Sequence, residues 1–456
     1  MNTIVKFHRE PPRDTLTARR FQVYTERTMD RIAMLKRLPD AMRFEMQVVA
    51  SVLPFRVNEY VIDELIDWEQ VPNDPLFRLV FPQKEMLEDE AFGRMARLYR
   101  EGADKAEIRT LADELRGRLN PHPAGQLELN RPEEDGQTIK GLQHKYRETV
   151  LFFPSQGQTC HSYCTFCFRW AQFVGDKDLR IASTDAAKLH DYLRAHPGIS
   201  DLLMTGGDPM VMKTKSLAAY LDALAAPEYA HVQTIRIGTK ALTFWPYRFV
   251  TDADADDLLK LLARLVAAGK HVAIMAHYNH PNELRTAIAR EAIRRIRDTG
   301  AEIRSQGPLL RGINDDPQSW SDLWREQVRL GIIPYYMFVE RDTGAREYFE
   351  VPLARAWSIY REAIQRVSGL GRTARGPSMS AEPGKIEIQG VVEIAKEKVF
   401  VLRFVQGRNP DWVQRPFFAR FDDQATWFDQ LKPAFGEKKF FFEDEFAAMK
   451  AEKLSG

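Results

Sequence analysis

Between residues 148 and 367, short runs rich in β-branched and aromatic residues alternate with amphipathic stretches of helical period. The runs fall at 150–154, 201–205, 234–238, 271–277, 302–305 and 333–340. Between them stand helical patterns such as DAAKLHDYLRAH, DADDLLKLLARLVAAG and NELRTAIAREAIRRIRDTG. A strand that must return parallel to its predecessor needs a long crossover, and a helix is the usual one. The alternation therefore predicts an α/β fold. About six units are present, fewer than the eight of a closed barrel, so the expected form is a partial (β/α)6 TIM-type barrel. In such folds the chemistry collects at the carboxyl ends of the strands.

The flanks read differently. Residues 1–140 form an expected N-terminal helical region with a connecting arm, the stretches DTLTARRFQVYTERTMDRIAMLKRL and KEMLEDEAFGRMARLYREGADKAEIRTLADELRGRL being helical in period. The arm, NPHPAGQLELNRPEEDGQ, is rich in Pro, Gly and polar residues. Residues 141–375 hold the barrel, and 376–456 an α+β extension. That extension begins with strands joined by a polar turn near 396–398 and continues into an aromatic-rich stretch whose rings are expected to pack.

Charge narrows the partners. The 65 basic and 64 acidic residues give a net charge of +1, which offers neither nucleic acid nor an anionic membrane an electrostatic footing. The first residues carry no apolar run of signal-peptide type, and no apolar stretch is long enough to span a bilayer. A cytoplasmic protein is expected.

The three cysteines all lie in one segment, TCHSYCTFCFRW, at Cys160, Cys164 and Cys167. An odd, clustered set is a poor disulfide framework and points to metal. Three thiolates on one loop can hold three irons of a [4Fe–4S] cluster and leave the fourth open to a ligand. Tetrahedral zinc is the competing reading, with His161 at hand but no second cysteine pair.

The C-x3-C-x2-C loop after a first strand resembles that of the radical S-adenosylmethionine superfamily. The resemblance implies that S-adenosylmethionine chelates the open iron and is cleaved reductively to a 5′-deoxyadenosyl radical, with Phe166 packed near the adenine. It also implies a glycine-rich strand end on the methionine amino group, which MTGGDP supplies through Gly206, Gly207 and Asp208. More closely, the chain resembles the lysine 2,3-aminomutase family, in the strings NPHPAG, LLMTGGD, RIGTK, AHYNHPNE, QGPLLRGIND and PYYMF. By that resemblance His277, Asn279 and Gln306 lie at S-adenosylmethionine. Arg169 matches the arginine that pairs with the substrate α-carboxylate, a task suited to its planar fork.

The family also implies pyridoxal phosphate, held as a Schiff base by a lysine. SAEPGKI makes Lys385 the candidate. Lys145 and Tyr146 match an Arg-Tyr pair on the cofactor's side. The second phosphate-binding arginine falls on Thr149, with Arg147 the substitute. Of two aspartates that grip a lysine substrate's ammonium, the first falls on Arg341 and the second near Ser378 or Ser380. A cation in place of an anion rejects lysine and favours a second carboxylate, so a dicarboxylic amino acid such as glutamate is the expected substrate. The family's structural zinc uses extra cysteines, and none is left for it here.

The resemblance thus implies an isomerase, an amino-acid 2,3-aminomutase with a [4Fe–4S] cluster, S-adenosylmethionine and pyridoxal phosphate. It implies an electron donor such as flavodoxin or ferredoxin. If the chain forms a homo-oligomer, the aromatic-rich tail is a candidate contact. Two alternatives stay open: a radical enzyme of other chemistry without pyridoxal phosphate, and a non-catalytic Fe–S or zinc-binding protein.

Overall fold

The computed structural model describes residues 17–120, 129–134, 137–174 and 181–455. Among them the largest sheet has eleven strands. Edge strand β1 (Leu142–Tyr146) is antiparallel to β2 (Thr149–Phe152). Parallel pairings then run in chain order through β3 (Asp201–Met204), β4 (Thr234–Thr239), β5 (His271–His277), β6 (Glu302–Leu309), β7 (Ile333–Val339) and β8 (Arg375–Ser380). The chain turns antiparallel through β9 (Gly384–Ile394), β10 (Glu397–Gly407) and β11 (Pro416–Arg420).

A helix links each successive parallel pair: α1 (Ala186–Ala195), α2 (Thr214–Leu221), α3 (Ala255–Ala267), α4 (Ala287–Asp298), α5 (Pro317–Leu330) and α6 (Leu353–Gln365). Their starts are set by capping side chains. Asp185, Thr286 and Asp316 each accept from a backbone N–H three residues on, satisfying a donor the helix cannot. Gly331 ends α5 at φ 77°, a left-handed conformation that glycine adopts without Cβ strain. Helix α3 buries Leu258, Leu261, Leu262 and Leu265 in the sheet's core, about 1.5–3 kcal/mol each.

The α/β expectation holds, and each of the six expected strands lies within a few residues of an observed one. The sheet as a whole is mixed, and its parallel part has one strand more than was counted. That strand, β8, has the sequence RGPSMS, whose Gly, Pro and Ser hide it from a propensity reading. Its glycine is needed for packing: a Cβ on Gly376 would stand 2.4 Å from the Met337 carbonyl oxygen.

The sheet curves strongly. Lys145 on β1 donates to the Ala381 carbonyl just past β8 at 2.7 Å. A flat sheet would hold these strands roughly 34 Å apart at ordinary strand spacing. Side chains on one face of β2–β8 are thereby turned toward a shared interior.

The N-terminal region has its own core, built on helices Asp40–Ala50, Pro75–Val80, Asp89–Glu101 and Lys105–Leu119. Its first stretch departs from the helical expectation. Val23–Thr25 pairs with Arg56–Asn58 as a two-stranded ribbon, followed by 3-10 turns at Glu26–Arg31 and Ala33–Arg37. The run Val23, Tyr24, Thr25 favours extended backbone over helix. Most of the arm's NPHPAG string lies outside the described residues. At the other end, β9 and β10 form a hairpin whose turn residues, Ala395 and Lys396, both have positive φ, as a turn matching strand twist requires. The tail's rings pack, with Phe404, Trp412, Phe417 and Phe442 in a third core.

Candidate active site

The three thiols are held by the N-terminal region. The Asn58 amide, fully buried, donates to the carbonyls of His161 and Phe244 and to Ser162 Oγ at 3.3, 2.7 and 3.0 Å. Tyr163 N–H donates to Arg56 and Thr165 N–H to Leu79, so ribbon and helix grip successive peptides of the loop. Cys164 and Cys167 pack against that same core. All three cysteines line one cavity of about 320 Å³, within the range of cofactor and substrate sites. Burial pushes each thiol's pKa up, Cys167 to about 11 with some relief from the Arg169 backbone and charge. As protein alone the loop stores neutral thiols, and a cation is what would make them thiolates.

Tetrahedral zinc would draw the sulfurs to roughly 3.8 Å of one another, given Zn–S bonds of about 2.3 Å. A cluster assigns each thiolate its own iron and needs them spread around a cavity wall. The donor set fits the cluster.

The end of β3 faces the loop. Gly206, at φ 154°, and Gly207 press against the segment before Cys160. A Cβ on Gly207 would lie 2.5 Å from the Thr159 carbonyl oxygen, so only glycine allows the approach. Asp208, 2% exposed, accepts from Thr239 Oγ1 and from the backbone N–H of Lys240 and Met210. Burial nonetheless raises its pKa to about 6. Phe166 stacks on His277 with ring centres 6.0 Å apart. Burial, with Lys240 nearby, takes His277 down to about 3, so it is neutral. Gln306 lines the cavity beside His277, its register partner. Asn279 is fully buried behind the wall, and its Oδ1 accepts from Lys240 Nζ at 2.9 Å.

Part of the cavity lining is cationic. Arg169 and Arg341 both line the cavity; burial, with Arg341 nearby, lowers the Arg169 pKa to about 10, and burial lowers that of Arg341 against the opposing pull of Asp342 and Glu340. Arg169 has no carboxylate partner among the described residues. Arg341 has only Asp342 at 3.6 Å, and its Nε and Nη2 find no hydrogen-bond acceptor. Lys385 also lines the cavity, its ammonium 4.2 Å from the Tyr336 ring centre and 5.4 Å from that of Phe338. Burial, then Arg236 and Arg375, lowers its pKa to about 7.

Other expected residues stand farther off. Lys145 and Tyr146 are half-buried outside the cavity lining, and desolvation drives the Lys145 pKa far down. Thr149 donates to Asp201, which Arg236 clasps with two nitrogens. Arg147 faces solvent and pairs with Glu148. Ser380 is in the cavity wall, whereas Ser378 is fully buried with an unpartnered Oγ.

Several residues escaped the sequence reading. Lys240 and Glu283 form a buried ion pair at 2.7 Å, within strings already quoted but without a role assigned. Arg236, Tyr336 and Phe168 complete the wall. Nothing local marks them; only the folded sheet brings them together.

The fold and site define a class: an α/β scaffold with a three-thiol loop at the carboxyl ends of parallel strands, lining one cavity together with Arg169, Arg341 and Lys385. No family model matches the chain. A protein of Aquifex aeolicus named "Putative L-lysine 2,3-aminomutase" is 31% identical over 408 residues, covering 90% of this chain and 96% of that protein. The L-lysine 2,3-aminomutase of Clostridium subterminale is 28% identical over 54% of this chain and 56% of its own length. A radical SAM methyltransferase structure from Sphaerobacter thermophilus matches at 16% identity and TM-score 0.37, over 61% of this chain and 91% of that one, too slight a likeness to bear on function. The chain belongs to the lysine 2,3-aminomutase family of radical S-adenosylmethionine enzymes.

Proposed function

We propose that this enzyme is a 2,3-aminomutase of a dicarboxylic amino acid such as glutamate, on a curved sheet that serves as a partial barrel. One observation carries the reading: the three thiols, the forks of Arg169 and Arg341, and the amine of Lys385 line the same cavity. When bound there, a [4Fe–4S] cluster with S-adenosylmethionine would supply a hydrogen-abstracting radical, and pyridoxal phosphate would supply a π-system that lets the amino nitrogen migrate.

The chain's own residues would do the rest. Cys160, Cys164 and Cys167 hold the cluster. Gly206 and Gly207 admit the methionine end, and Phe166, His277 and Gln306 pack the nucleoside end. Arg169 takes the α-carboxylate with two parallel N–H donors, and Arg341 takes the distal carboxylate. Arg169 gains a carboxylate partner, and Arg341 gains acceptors for Nε and Nη2 beyond its 3.6 Å contact with Asp342, which offsets their burial. Lys385 would hold the cofactor through its amine, whose affinity for a proton burial has already lowered to a pKa of about 7. Tyr336 and Phe338 lie within reach of that amine as an aromatic floor. Electrons would come from an external donor of the flavodoxin or ferredoxin class.

A second reading is a radical enzyme of other chemistry without pyridoxal phosphate. It is favoured by Arg147, which faces solvent, and by Thr149, which is spent on Asp201. Absorption separates the two. Added pyridoxal phosphate should give a Schiff-base band in wild type that Lys385→Ala abolishes. No band in wild type would overturn the aminomutase reading. Arg341→Asp should abolish turnover of the dicarboxylic substrate, and unchanged turnover would remove Arg341 from the site.

A further inference from the structure

Arg169 and Arg341 are not simply two cations in one wall. They share a phenylalanine ring. The Phe168 ring centre is 5.1 Å from the Arg169 guanidinium carbon and 5.3 Å from that of Arg341. Each guanidinium has a second aromatic contact on another element, Arg169 with Phe153 at 4.4 Å and Arg341 with Trp427 at 5.8 Å. The contacts thus form a chain of rings and cations, Phe153, Arg169, Phe168, Arg341 and Trp427, of which Arg169, Phe168 and Arg341 line the cavity. Phe168 is 38% exposed, although its ring belongs to the cavity lining. Cation–π contact is what favours a ring at this position. Through this shared ring the two like charges lie no more than about 10 Å apart.

We propose that Phe168 determines substrate length, acting as the spacer that fixes the gap between the two carboxylate forks. The inference rests on the dicarboxylate reading above. A diacid bridges the forks only if its two carboxylates match that gap. A shorter or longer homologue reaches one fork and leaves the other unpaired. With the ring removed, each guanidinium keeps one aromatic contact, and the gap no longer has a single width.

The test is calorimetric binding of malonate, succinate, glutarate and adipate to the purified full chain, compared at equal iron content. Wild type should show one preferred length, with its neighbours at least about tenfold weaker. Phe168→Ala should flatten that preference to within about threefold, and Phe168→Leu should do the same if the alanine variant does not fold. Phe168→Tyr, which keeps the ring, should preserve it. A length preference unchanged in Phe168→Ala or Phe168→Leu would overturn the proposal, as would a wild type indifferent to length. A wild type that binds no diacid would overturn this proposal and the dicarboxylate reading together. A sharp preference that the variants flatten, in an enzyme that forms no β-amino acid, would support Phe168 as the spacer and sink only the aminomutase chemistry.

Discussion

Lys240 Nζ stands 2.7 Å from Glu283 Oε1, and the Glu283 side chain is wholly inaccessible to solvent. The same ammonium donates to Asn279 Oδ1 and the His277 carbonyl, while Glu283 Oε2 accepts from the backbone N–H of Asn279 and His280. The pair therefore ties the end of β4 to the end of β5, where His277 meets the cavity. Removing one partner strands the other charge in a dry interior, at a cost of about 3–5 kcal/mol. Lys240→Met should lose that much in urea unfolding. Lys240→Met combined with Glu283→Gln should recover part of it, because no lone charge remains. Equal losses in single and double variants would show that the pair is not what holds these strand ends.

Lys385 predicts a pH dependence whose sign is fixed. Its pKa in the fold is about 7, against about 10.4 for an ordinary lysine. Between these values the unfolded chain carries the proton and the native chain does not. Stability due to this group therefore rises as pH is raised from about 7 toward about 10. Lys385→Met should be more stable than wild type below pH 7, with the difference fading toward pH 10. Unfolding curves at three pH values across that window measure it, and a pH-independent difference would contradict the assignment.

Asn58 tests whether the N-terminal region is part of the site. Its amide satisfies two buried carbonyls and Ser162 Oγ. Asn58→Ala leaves these groups without their donor at about 1–3 kcal/mol for each one left unsatisfied. The loop that carries the thiols should loosen. Iron retained after anaerobic reconstitution and desalting should fall well below the wild-type level, and wild-type retention would detach Asn58 from the metal loop.

What was legible in the sequence is what chemistry or period marks locally. Cys160, Cys164 and Cys167 share one loop, Gly206 and Gly207 follow it at a strand end, and the strand–helix alternation needs no tertiary knowledge. Strand β8 was hidden because Gly376 and Pro377 answer to its neighbour's backbone rather than to β-propensity. Val23–Thr25 looked helical because its flanks are, yet it pairs with a strand some thirty residues away. Phe168 looked like one more aromatic beside a cysteine. Its contact with both Arg169 and Arg341 exists only once the end of β7 lies beside the cysteine loop. Asn279 and Lys240 were both in view as residues of distinctive strings, but their contact depends on adjacent strands ending in register.

The central claim is the conversion of an α-amino dicarboxylic acid into its β-amino isomer. Its most direct test is incubation of the reconstituted protein with reductant, S-adenosylmethionine and pyridoxal phosphate against a panel of amino acids, with β-amino acids scored by mass spectrometry. The account predicts a β-amino product from one dicarboxylic amino acid, with lysine left unchanged. β-Lysine as the main product, or no β-amino acid from any dicarboxylic member, would contradict it.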